Sequence, residues 1–342
     1  MDNIDSFREF ISTPRKVVIT THYNPDADAI GSSLALYHYL RKKNHEVTVV
    51  TPSDYPDFLD WMRGEKQIVA YSPQTKNLCE ELFESAEIIF CLDFSSYNRL
   101  QDIEGFFRKS QAKICVIDHH LEPNIRWDFS LWRPEASSTA ELIFDFISLL
   151  GDKSLIDEVI GECIYAGIVT DTSSFKHPTT SKKVHLIVAE LMDIGINTNK
   201  VQKLIYDTNT ENKLRFTGYM LANKLKVLPE YKFAYFTISQ EEQKRFQTQT
   251  GDTEGLVNYA LSIKGIVMAA TLIEKENEIR LSFRSIGDFA VNKLAKAHFE
   301  GGGHKNAAGG RSSLSLEATE KKLLELIPLY QEQMHKVEIP TY

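Results

Sequence analysis

The sequence has little cysteine, and its spacing is not that of a disulfide framework. Its 342 residues include only 4 Cys, and three of them, Cys91, Cys115 and Cys163, lie inside apolar runs. Thiols in that setting are typical of buried side chains in a reducing compartment. No apolar run reaches the roughly 20 residues that a transmembrane helix needs, and the acidic stretch MDNIDSFREF differs from a secretory signal. We therefore expect a soluble, cytoplasmic protein without a membrane partner.

Positive charge is also scarce. The chain has 39 Lys and Arg against 47 Asp and Glu, which gives a net charge of −8 at pH 7. Binding long nucleic acid without sequence preference normally needs a basic surface. The composition therefore argues against long duplex DNA as a partner, but it is compatible with a short nucleotide that metal ions hold.

Apolar runs and amphipathic segments alternate through the first half of the chain. The runs KVVIT, EVTVV, EIIFCLD and AKICVID are separated by segments with helical periodicity. This alternation predicts a doubly wound α/β domain around a parallel sheet. Beyond a polar, Asn/Thr-rich stretch, runs such as KFAYFTIS and EIRLSFRS predict a smaller α/β domain with a mixed sheet. We place the two domains at residues 1–195 and 213–342, with a linker at 196–212.

Acids and imidazoles follow the buried runs of the first domain at the points where these runs end. Six side chains share this position: His22, Asp26, Asp28, Asp93, His119 and Asp171. The carboxyl ends of parallel strands meet at one edge of the sheet, in a crevice at the switch point of the strand order. We therefore expect the six side chains to lie close together.

Four carboxylates and two imidazoles in one crevice would be strongly unfavourable without a counter-charge. Two divalent cations would supply it, and ligands without thiolate favour Mn²⁺, with Mg²⁺ or Co²⁺ as alternatives. In two-metal hydrolases the ions lie about 3.5–4 Å apart and bridge a hydroxide that attacks phosphorus. That geometry needs a shared carboxylate, for which Asp93 and Asp171 are the candidates.

Each of these residues also has an ordinary structural interpretation. Asp26 and Asp28 fit helix N-caps, Asp93 and Asp171 fit strand-end or capping residues, and His22 fits a loop histidine. Capping does not explain why imidazoles accompany the acids. The metal site is therefore the preferred hypothesis.

The same motifs resemble those of a known family. HYNPDADAIGS, the strand end at Asp93, the literal Asp118-His119-His120 and GIVTDTSSF are similar to the four ordered motifs of the DHH phosphoesterase superfamily. GGGHKNAAGG, preceded by LSFRS, is similar to the DHH-associated C-terminal domain. The length and the two-domain plan resemble the bifunctional oligoribonuclease and pAp phosphatase subgroup rather than the longer RecJ exonucleases.

The resemblance implies a role for each matching residue. One metal ion would bind His22, Asp26, Asp93 and Asp171, and the other would bind Asp28, Asp93, His119 and Asp171. His120 would contact the substrate phosphate or assist proton transfer, and Asp118 would orient a histidine. We accordingly assign catalytic roles to Asp93, Asp118 and His120. A homodimer is a further implication of the resemblance.

The second domain contains candidate phosphate ligands. Gly302 and Gly303 let the backbone approach an anion, while Arg284 and His304 add charge-assisted hydrogen bonds. The alternatives are a flexible turn for the glycines and a solvated strand residue for Arg284. Arg99 is another candidate for phosphate contact, although an ordinary surface arginine fits it equally well.

Together these features predict a metal-dependent phosphoesterase, an exonuclease-like hydrolase that converts short oligoribonucleotides such as pApA, and pAp, to mononucleotides. The second domain would select short substrates by binding a terminal phosphate. Among enzymes, the alternative is a cyclic dinucleotide phosphodiesterase. Outside the enzymes, the alternative is a sensor that binds metal and nucleotide without turnover.

Overall fold

Two six-stranded sheets organise the computed structural model, which describes residues 1–249 and 251–339. Each sheet belongs to one of two compact units, Met1–Thr208 and the chain from Asn209 onward. The described residues include no helix that is long and apolar enough to cross a membrane. All the predicted metal ligands lie in the first unit, whereas Arg284 and His304 lie in the second.

The first unit alternates helices and strands along the chain. Its helices are α1 (Ile4–Phe10), α2 (Ala27–Lys42), α3 (Lys76–Ser85), α4 (Glu104–Lys109), α5 (Thr139–Leu149), α6 (Glu158–Asp171), α7 (Lys182–Ile194) and α8 (Thr198–Tyr206). Its strands are β1 (Lys16–Thr20), β2 (Glu46–Thr51), β3 (Ile68–Ala70), β4 (Ile88–Leu92), β5 (Lys113–Asp118) and β6 (Phe129–Trp132). Short 3₁₀ turns lie at Asp57–Leu59, Glu65–Gln67, Tyr97–Arg99, Gln101–Ile103 and Lys153–Leu155.

All strands of the first sheet are parallel, in the order β3-β2-β1-β4-β5-β6. The order reverses between β1 and β4, so the crevice of the sheet lies beyond the carboxyl ends of these two strands. The predicted doubly wound parallel fold is confirmed. The sequence analysis does not predict β3 and β6, because runs of 3 and 4 residues are too short for a periodic signal.

Alternate residues of the central strands enter hydrophobic cores on opposite faces of this sheet. Val17 and Ile19 of β1 pack into the core that contains α2, α5 and α6. Val18 packs on the other face with Phe83 of α3 and Phe107 of α4. Burial of both faces explains the continuous apolar runs and leaves the strand ends as the place for polar side chains.

The described residues of the second unit form six helices and six strands. The helices are α9 (Glu211–Tyr219), α10 (Gln240–Arg245), α11 (Leu256–Leu261), α12 (Val291–His298), α13 (Leu316–Leu326) and α14 (Gln331–His335). The strands are β7 (Lys226–Leu228), β8 (Phe233–Ile238), β9 (Met268–Glu274), β10 (Ile279–Ser285), β11 (Gly302–His304) and β12 (Ala307–Ser312). A π-helical turn at Met220–Lys224 follows α9, and 3₁₀ turns lie at Pro229–Tyr231 and Ile327–Tyr330.

The second sheet has the order β11-β12-β10-β9-β8-β7. Only β8 and β9 pair in parallel among these strands, and the remaining pairs are antiparallel. The predicted mixed sheet is therefore confirmed. The burial of β10 alternates residue by residue, which is the pattern of a strand with one face on the core and one face towards solvent.

The stretch 196–212, which the sequence analysis predicts as a linker, contains α8. Val201 and Ile205 of this helix are buried and pack into the core of the first unit. The division between the units falls after Thr208, and α9 begins at Glu211. The polar composition of the stretch thus comes largely from the exposed faces of helices.

Candidate metal centre

The predicted metal ligands come from the carboxyl edge of the first sheet and from two helices beside it. His22, Asp93 and His119 follow strands, whereas Asp26, Asp28 and Asp171 belong to helix ends. The strands concerned are β1, β4 and β5, which surround the switch point, and the helices are α2 and α6. The topology thus brings together residues that are up to about 150 positions apart in the sequence.

The six predicted metal ligands form two groups of potential ligand atoms at this edge, and Asp118 and His120 form a further group with Asp93. In each group the atoms lie within 4.8 Å of one another: His22, Asp26 and Asp93 in one, and Asp28, His119 and Asp171 in the other. Each group combines two carboxylates with one imidazole. Two neighbouring groups of this kind are what a pair of cations would require.

Asp93 lies between the two groups. Its Oδ2 is 3.3 Å from Nε2 of His22, and its Oδ1 is 3.4 Å from Nε2 of His119. The backbone of Asp93 has a φ of 65°, which lies in the left-handed region. This conformation is unfavourable for residues that have a Cβ atom. Asp171 is grouped with Asp28 and His119. That Asp93 and Asp171 are each shared by two metal ions stays a prediction.

Backbone carbonyls fix both imidazole rings of the two groups. Nδ1 of His22 is 2.9 Å from the carbonyl oxygen of Tyr23, and Nδ1 of His119 is 3.2 Å from that of Ala136. A carbonyl oxygen can only accept a hydrogen bond, so Nδ1 of each ring carries a proton and donates. Nε2 then faces the carboxylates, as in histidines that bind metal ions.

The two acids at the start of α2 are used differently. Asp26 is the N-cap of this helix, and its Oδ1 accepts from the N–H groups of Asp28 and Ala29 at 3.0 and 3.1 Å. Capping is compatible with metal binding because a carboxylate has a second oxygen. Asp28 is 1% exposed and accepts instead from the N–H groups of Thr139 and Ala140, at 2.6 and 2.8 Å, in the first turn of α5.

Burial and crowding shift the protonation equilibria of these side chains. Burial, together with the carboxylates of Asp93 and Asp171, holds the pKa of Asp28 well above its ordinary value. Burial alone would lower the pKa of His119, but its hydrogen bond to Asp93 and the surrounding carboxylates hold that pKa well above the ordinary value. For Asp93, hydrogen bonds from His119 and His22 outweigh burial and hold the pKa well below its ordinary value. The crowding of carboxylates thus favours the protonated forms of Asp28 and His119, and the same electrostatic effect would favour a bound cation.

A further chain of contacts involves Asp118, His120 and Arg99. Oδ1 of Asp118 accepts from the backbone N–H of His120 at 3.1 Å and from its Nδ1 at 2.8 Å. Burial alone would raise the pKa of Asp118, but the neighbouring His120 holds it below the ordinary value. On the other side of the ring, Nη2 of Arg99 is 3.4 Å from Nε2. Asp118 therefore orients His120, and the exposed Arg99 lies beside it.

In the second unit, the predicted phosphate ligands share one face of the sheet. Ala307 of β12 pairs with Arg284 of β10 on one side and with His304 of β11 on the other. Directly paired residues project their side chains to the same face of a sheet. Gly302 and Gly303 precede His304 in β11. Arg284 and His304, which are both partly exposed, therefore flank the same residue beside a glycine-rich strand.

The donor set of the first unit fits a divalent cation. Even with both imidazoles protonated, four ionised carboxylates would leave net negative charge in a largely buried crevice, which is unfavourable. The groups found among the described residues offer carboxylate oxygens and imidazole nitrogens and contain no thiolate. Hard or borderline divalent cations prefer this combination of ligands.

The sequence analysis missed what the start of α5 contributes. The Ser-Ser-Thr stretch predicts a helix cap, and Ser138 does cap α5 by accepting from the N–H of Glu141 at 3.1 Å. In addition, Oγ1 of Thr139 donates to Oδ1 of Asp93 at 2.9 Å. A cap motif indicates where a helix of this domain begins, near the edge where ligands bind, but the local sequence does not specify that Thr139 contacts Asp93.

Two family models match the chain, and the two matched regions fall in the first and the second unit of the structure. The model of the DHH family, N-terminal domain, matches residues 16–168, and that of the DHHA1 domain matches residues 230–334. The first match contains His22, Asp93 and His119, and the second contains Arg284 and His304.

Similar proteins match over nearly the whole chain. The bifunctional oligoribonuclease and PAP phosphatase NrnA of Bacillus subtilis is 29% identical over 327 residues, which are 94% of this chain and 97% of that protein. The Thermus thermophilus protein of the same name is 28% identical, over 91% of this chain and 89% of its own. The crystal structure of an exopolyphosphatase-related protein from Bacteroides fragilis is 37% identical, with a TM-score of 0.91 over 97% of both chains. The resemblance found in the motifs is thus confirmed, and the chain belongs to the DHH family, with a DHH domain in its first unit and a DHHA1 domain in its second.

Proposed function

We propose that this protein is a metal-dependent phosphoesterase that hydrolyses short oligoribonucleotides and pAp to mononucleotides. The observation that carries the proposal is the convergence of four carboxylates and two imidazole Nε2 atoms at the switch point of a parallel sheet. The names of the Bacillus subtilis and Thermus thermophilus relatives support the choice of substrate.

In this proposal the first unit binds two divalent cations, with Mn²⁺ as the first candidate. The proposed ligands of the first ion are His22, Asp26, Asp93 and Asp171, and those of the second are Asp28, Asp93, His119 and Asp171. Divalent cations bound there would supply Lewis acidity, which activates the attacking water and neutralises negative charge on the phosphate. The contribution of the chain is to hold these ligands in place before substrate arrives.

His120 is the proposed proton-transfer residue. Because Asp118 holds the Nδ1 proton at 2.8 Å, proton exchange takes place at Nε2, the nitrogen beside Arg99. A substrate phosphate that binds the guanidinium of Arg99 would lie next to this nitrogen, within reach for general acid catalysis on the leaving oxygen. Asp118 would keep the ring in the required orientation.

In the second unit, Arg284 and His304 are the proposed ligands of a substrate phosphate. Their positions on either side of Ala307 allow both to contact one anion, with backbone from Gly302 and Gly303 beside it. The net charge of −8 supports short substrates over long nucleic acid. A localised phosphate site provides the attraction that a broad basic surface would otherwise give.

The experiment that tests this function measures hydrolysis by the purified chain with added Mn²⁺. The substrates are pAp, pApA, cyclic di-AMP, long single-stranded DNA and inorganic polyphosphate at equal concentration, and metal-stripped protein in EDTA is the control. We expect release of mononucleotides from pAp and pApA and little from the long strand. Faster cleavage of cyclic di-AMP or of polyphosphate would reassign the substrate. Metal binding without turnover of any of them would contradict the enzyme and favour a sensor.

A further inference from the structure

The segment 136–140, which contains the residues just before α5 and the first two residues of that helix, contacts three of the predicted metal ligands. The carbonyl of Ala136 lies against Nδ1 of His119 at 3.2 Å. The backbone N–H of Thr139 donates to Oδ2 of Asp28 at 2.6 Å, and its hydroxyl Oγ1 donates to Oδ1 of Asp93 at 2.9 Å. Thr139 thus binds one carboxylate from each of the two groups of ligand atoms, once through its backbone and once through its side chain.

The start of α5 is itself held firmly. Ser138 caps the helix by accepting from the N–H of Glu141, and Oε2 of Glu141 accepts from the N–H of Ser137 at 2.8 Å. This arrangement resembles a capping box, which fixes the first turn of a helix. Lys183 of α7 reaches Oε1 of Glu141 at 3.2 Å. Thr139 is therefore presented from a rigid helix end rather than from a mobile loop.

The carboxylate of Asp28 is also confined from the side of α6. A Cβ atom on Gly167 would lie 2.5 Å from Oδ1 of Asp28 and 2.5 Å from Cβ of Ala140. The absence of a side chain at position 167 therefore allows the first turn of α5 to approach Asp28 closely enough for two backbone hydrogen bonds. Asp28 has little room to adopt another orientation.

Hydrogen bonds of this kind determine where the remaining lone pairs of a carboxylate point. Oδ1 of Asp93 accepts from Thr139, and Oδ2 of the same carboxylate faces His22 at 3.3 Å. Loss of the Thr139 hydroxyl would leave Asp93, which is 2% exposed, able to rotate in its pocket. The partners that orient metal ligands commonly change metal affinity or activity about 10- to 100-fold when they are removed.

We infer that Thr139 is a positioning residue that sets the orientation of Asp93 relative to Asp28, and thereby the affinity of the centre for its cations. The inference rests on the proposed function, because it takes both aspartates to be metal ligands. Thr139 itself contacts neither substrate nor metal in this assignment, and it acts through the two carboxylates.

The test compares Thr139→Val with Thr139→Ser in the full chain. Valine keeps the shape and the backbone N–H but loses the hydroxyl, whereas serine keeps the hydroxyl and loses a methyl group. Titration calorimetry with Mn²⁺ alone should give an affinity about 10- to 100-fold weaker for Thr139→Val and within about 3-fold of wild type for Thr139→Ser. Raising the Mn²⁺ concentration should restore hydrolysis by Thr139→Val towards the wild-type rate.

Two further comparisons keep this test decisive. If Thr139→Val does not fold, Thr139→Ala takes its place, and the expected order of Mn²⁺ affinity is wild type and Ser above Ala. Equal Mn²⁺ affinity of the hydroxyl-free variant and wild type would overturn the inference and leave the proposed function intact. A wild-type chain that binds no Mn²⁺ would overturn the proposed function as well, so the two failures are distinguishable. Lower activity that added Mn²⁺ does not restore would indicate a merely structural role and would also overturn the inference.

Discussion

The two units of this protein carry their candidate functional groups in opposite ways. In the first unit, Asp28, Asp93 and His119 are 1%, 2% and 4% exposed, and hydrogen bonds within the unit orient each of them. In the second unit, Arg284 and His304 are partly exposed on a strand face. Hydrogen bonds within the unit thus hold the first set of groups in place, whereas the second set lies on a partly exposed strand face.

Because of this difference, substitutions in the two units should have different consequences. A buried acidic cluster has an electrostatic imbalance that bound cations or protons relieve, so under the proposed function the loss of one member should change metal binding first. A partly exposed cation on a strand costs little to remove from the folded protein, so under the proposed function its loss should change substrate binding first. Substitutions in the two units should therefore affect different measured quantities.

Asp93→Ala should have the largest effect. Removing the carboxylate between the two groups of ligand atoms is expected to lower kcat for hydrolysis of pApA more than about 100-fold. It is also expected to weaken the affinity for Mn²⁺. Steady-state kinetics and Mn²⁺ calorimetry on the same preparation measure both.

The exposed Asp193→Ala in α7 is the matched control for this change, because it removes an acid from the same unit outside the cluster. It should behave as wild type. Full hydrolysis by a folded Asp93→Ala protein would contradict the proposed metal centre.

Arg284→Ala should have a smaller effect of a different kind. A charge-assisted hydrogen bond contributes about 1.5–3 kcal/mol, so KM for pAp is expected to rise about 10- to 100-fold. Mn²⁺ affinity and the melting temperature should stay close to wild type. Arg280→Ala is the control, because Arg280 lies on the same face of β10, two pleat repeats away from Arg284, and pairs with Glu278 at 2.9 Å. An equal rise in KM for both variants would argue for general charge rather than a specific phosphate site.

The glycines of β11 sharpen the comparison within the second unit. Gly303 has a φ of 135°, and a Cβ atom there would lie 2.6 Å from the carbonyl oxygen of Ala307, whereas nothing lies within 4 Å of a Cβ at Gly302. Gly303→Ala should therefore destabilise the second unit by about 1–3 kcal/mol. Gly302→Ala should melt as wild type and raise KM a few fold, if backbone at this position approaches the phosphate. Equal melting temperatures for the two variants, measured by calorimetry, would show that the close approach at Gly303 is not required.

Glu242 provides the smallest expected effect, and its sign can be derived. Burial alone would raise the pKa of this carboxyl, but hydrogen bonds from Lys224 and from the N–H of Ser239 hold the pKa below its ordinary value of 4.5. A lowered pKa in the folded state means that the ionised group stabilises the fold above about pH 4.5 and that this contribution disappears as the pH falls through the folded pKa.

Glu242→Gln should accordingly cost about 1 kcal/mol at pH 7, and the difference from wild type should shrink below about pH 4. Urea unfolding at several pH values measures it, with Glu241→Gln, an exposed neighbour in α10, as the control. A difference that does not depend on pH would mean that shape rather than charge is responsible. In that case the charge of Glu242 would not contribute to the free energy of unfolding, and its hydrogen bond with the N–H of Ser239 would account for the stabilisation.

The sequence predicts the parallel sheet and its edge because both follow from local patterns. The apolar runs before His22, Asp93 and His119 identify the strands, and the parallel topology then requires that residues after the strands meet. The same reasoning predicts the mixed sheet of the second unit. Neither step needs knowledge of a contact between distant residues.

The contacts of Thr139 and Gly167 could not be predicted in this way. A Ser-Ser-Thr cap has the same local sequence whether its N–H groups face water or the carboxylate of Asp28, which is 111 positions away from Thr139. The requirement for glycine at position 167 depends on how closely α5 and α6 approach, which is a property of tertiary packing. Gly303 is similar, since its motif suggests ligand binding and its backbone also satisfies a packing constraint.

The placement of cysteine allows the opening of the first unit to be measured separately from that of the second unit in the same sample. Cys79, Cys91, Cys115 and Cys163 all lie in the first unit and are at most 1% exposed, and burial raises the pKa of Cys163 to about 12. The reactive thiolate is therefore scarce until this unit opens. The rate of alkylation by a small thiol reagent then measures how often the first unit opens transiently. The second unit has no cysteine and does not contribute to this rate. Slower labelling in the presence of Mn²⁺ would report ligand binding as protection, without any substrate.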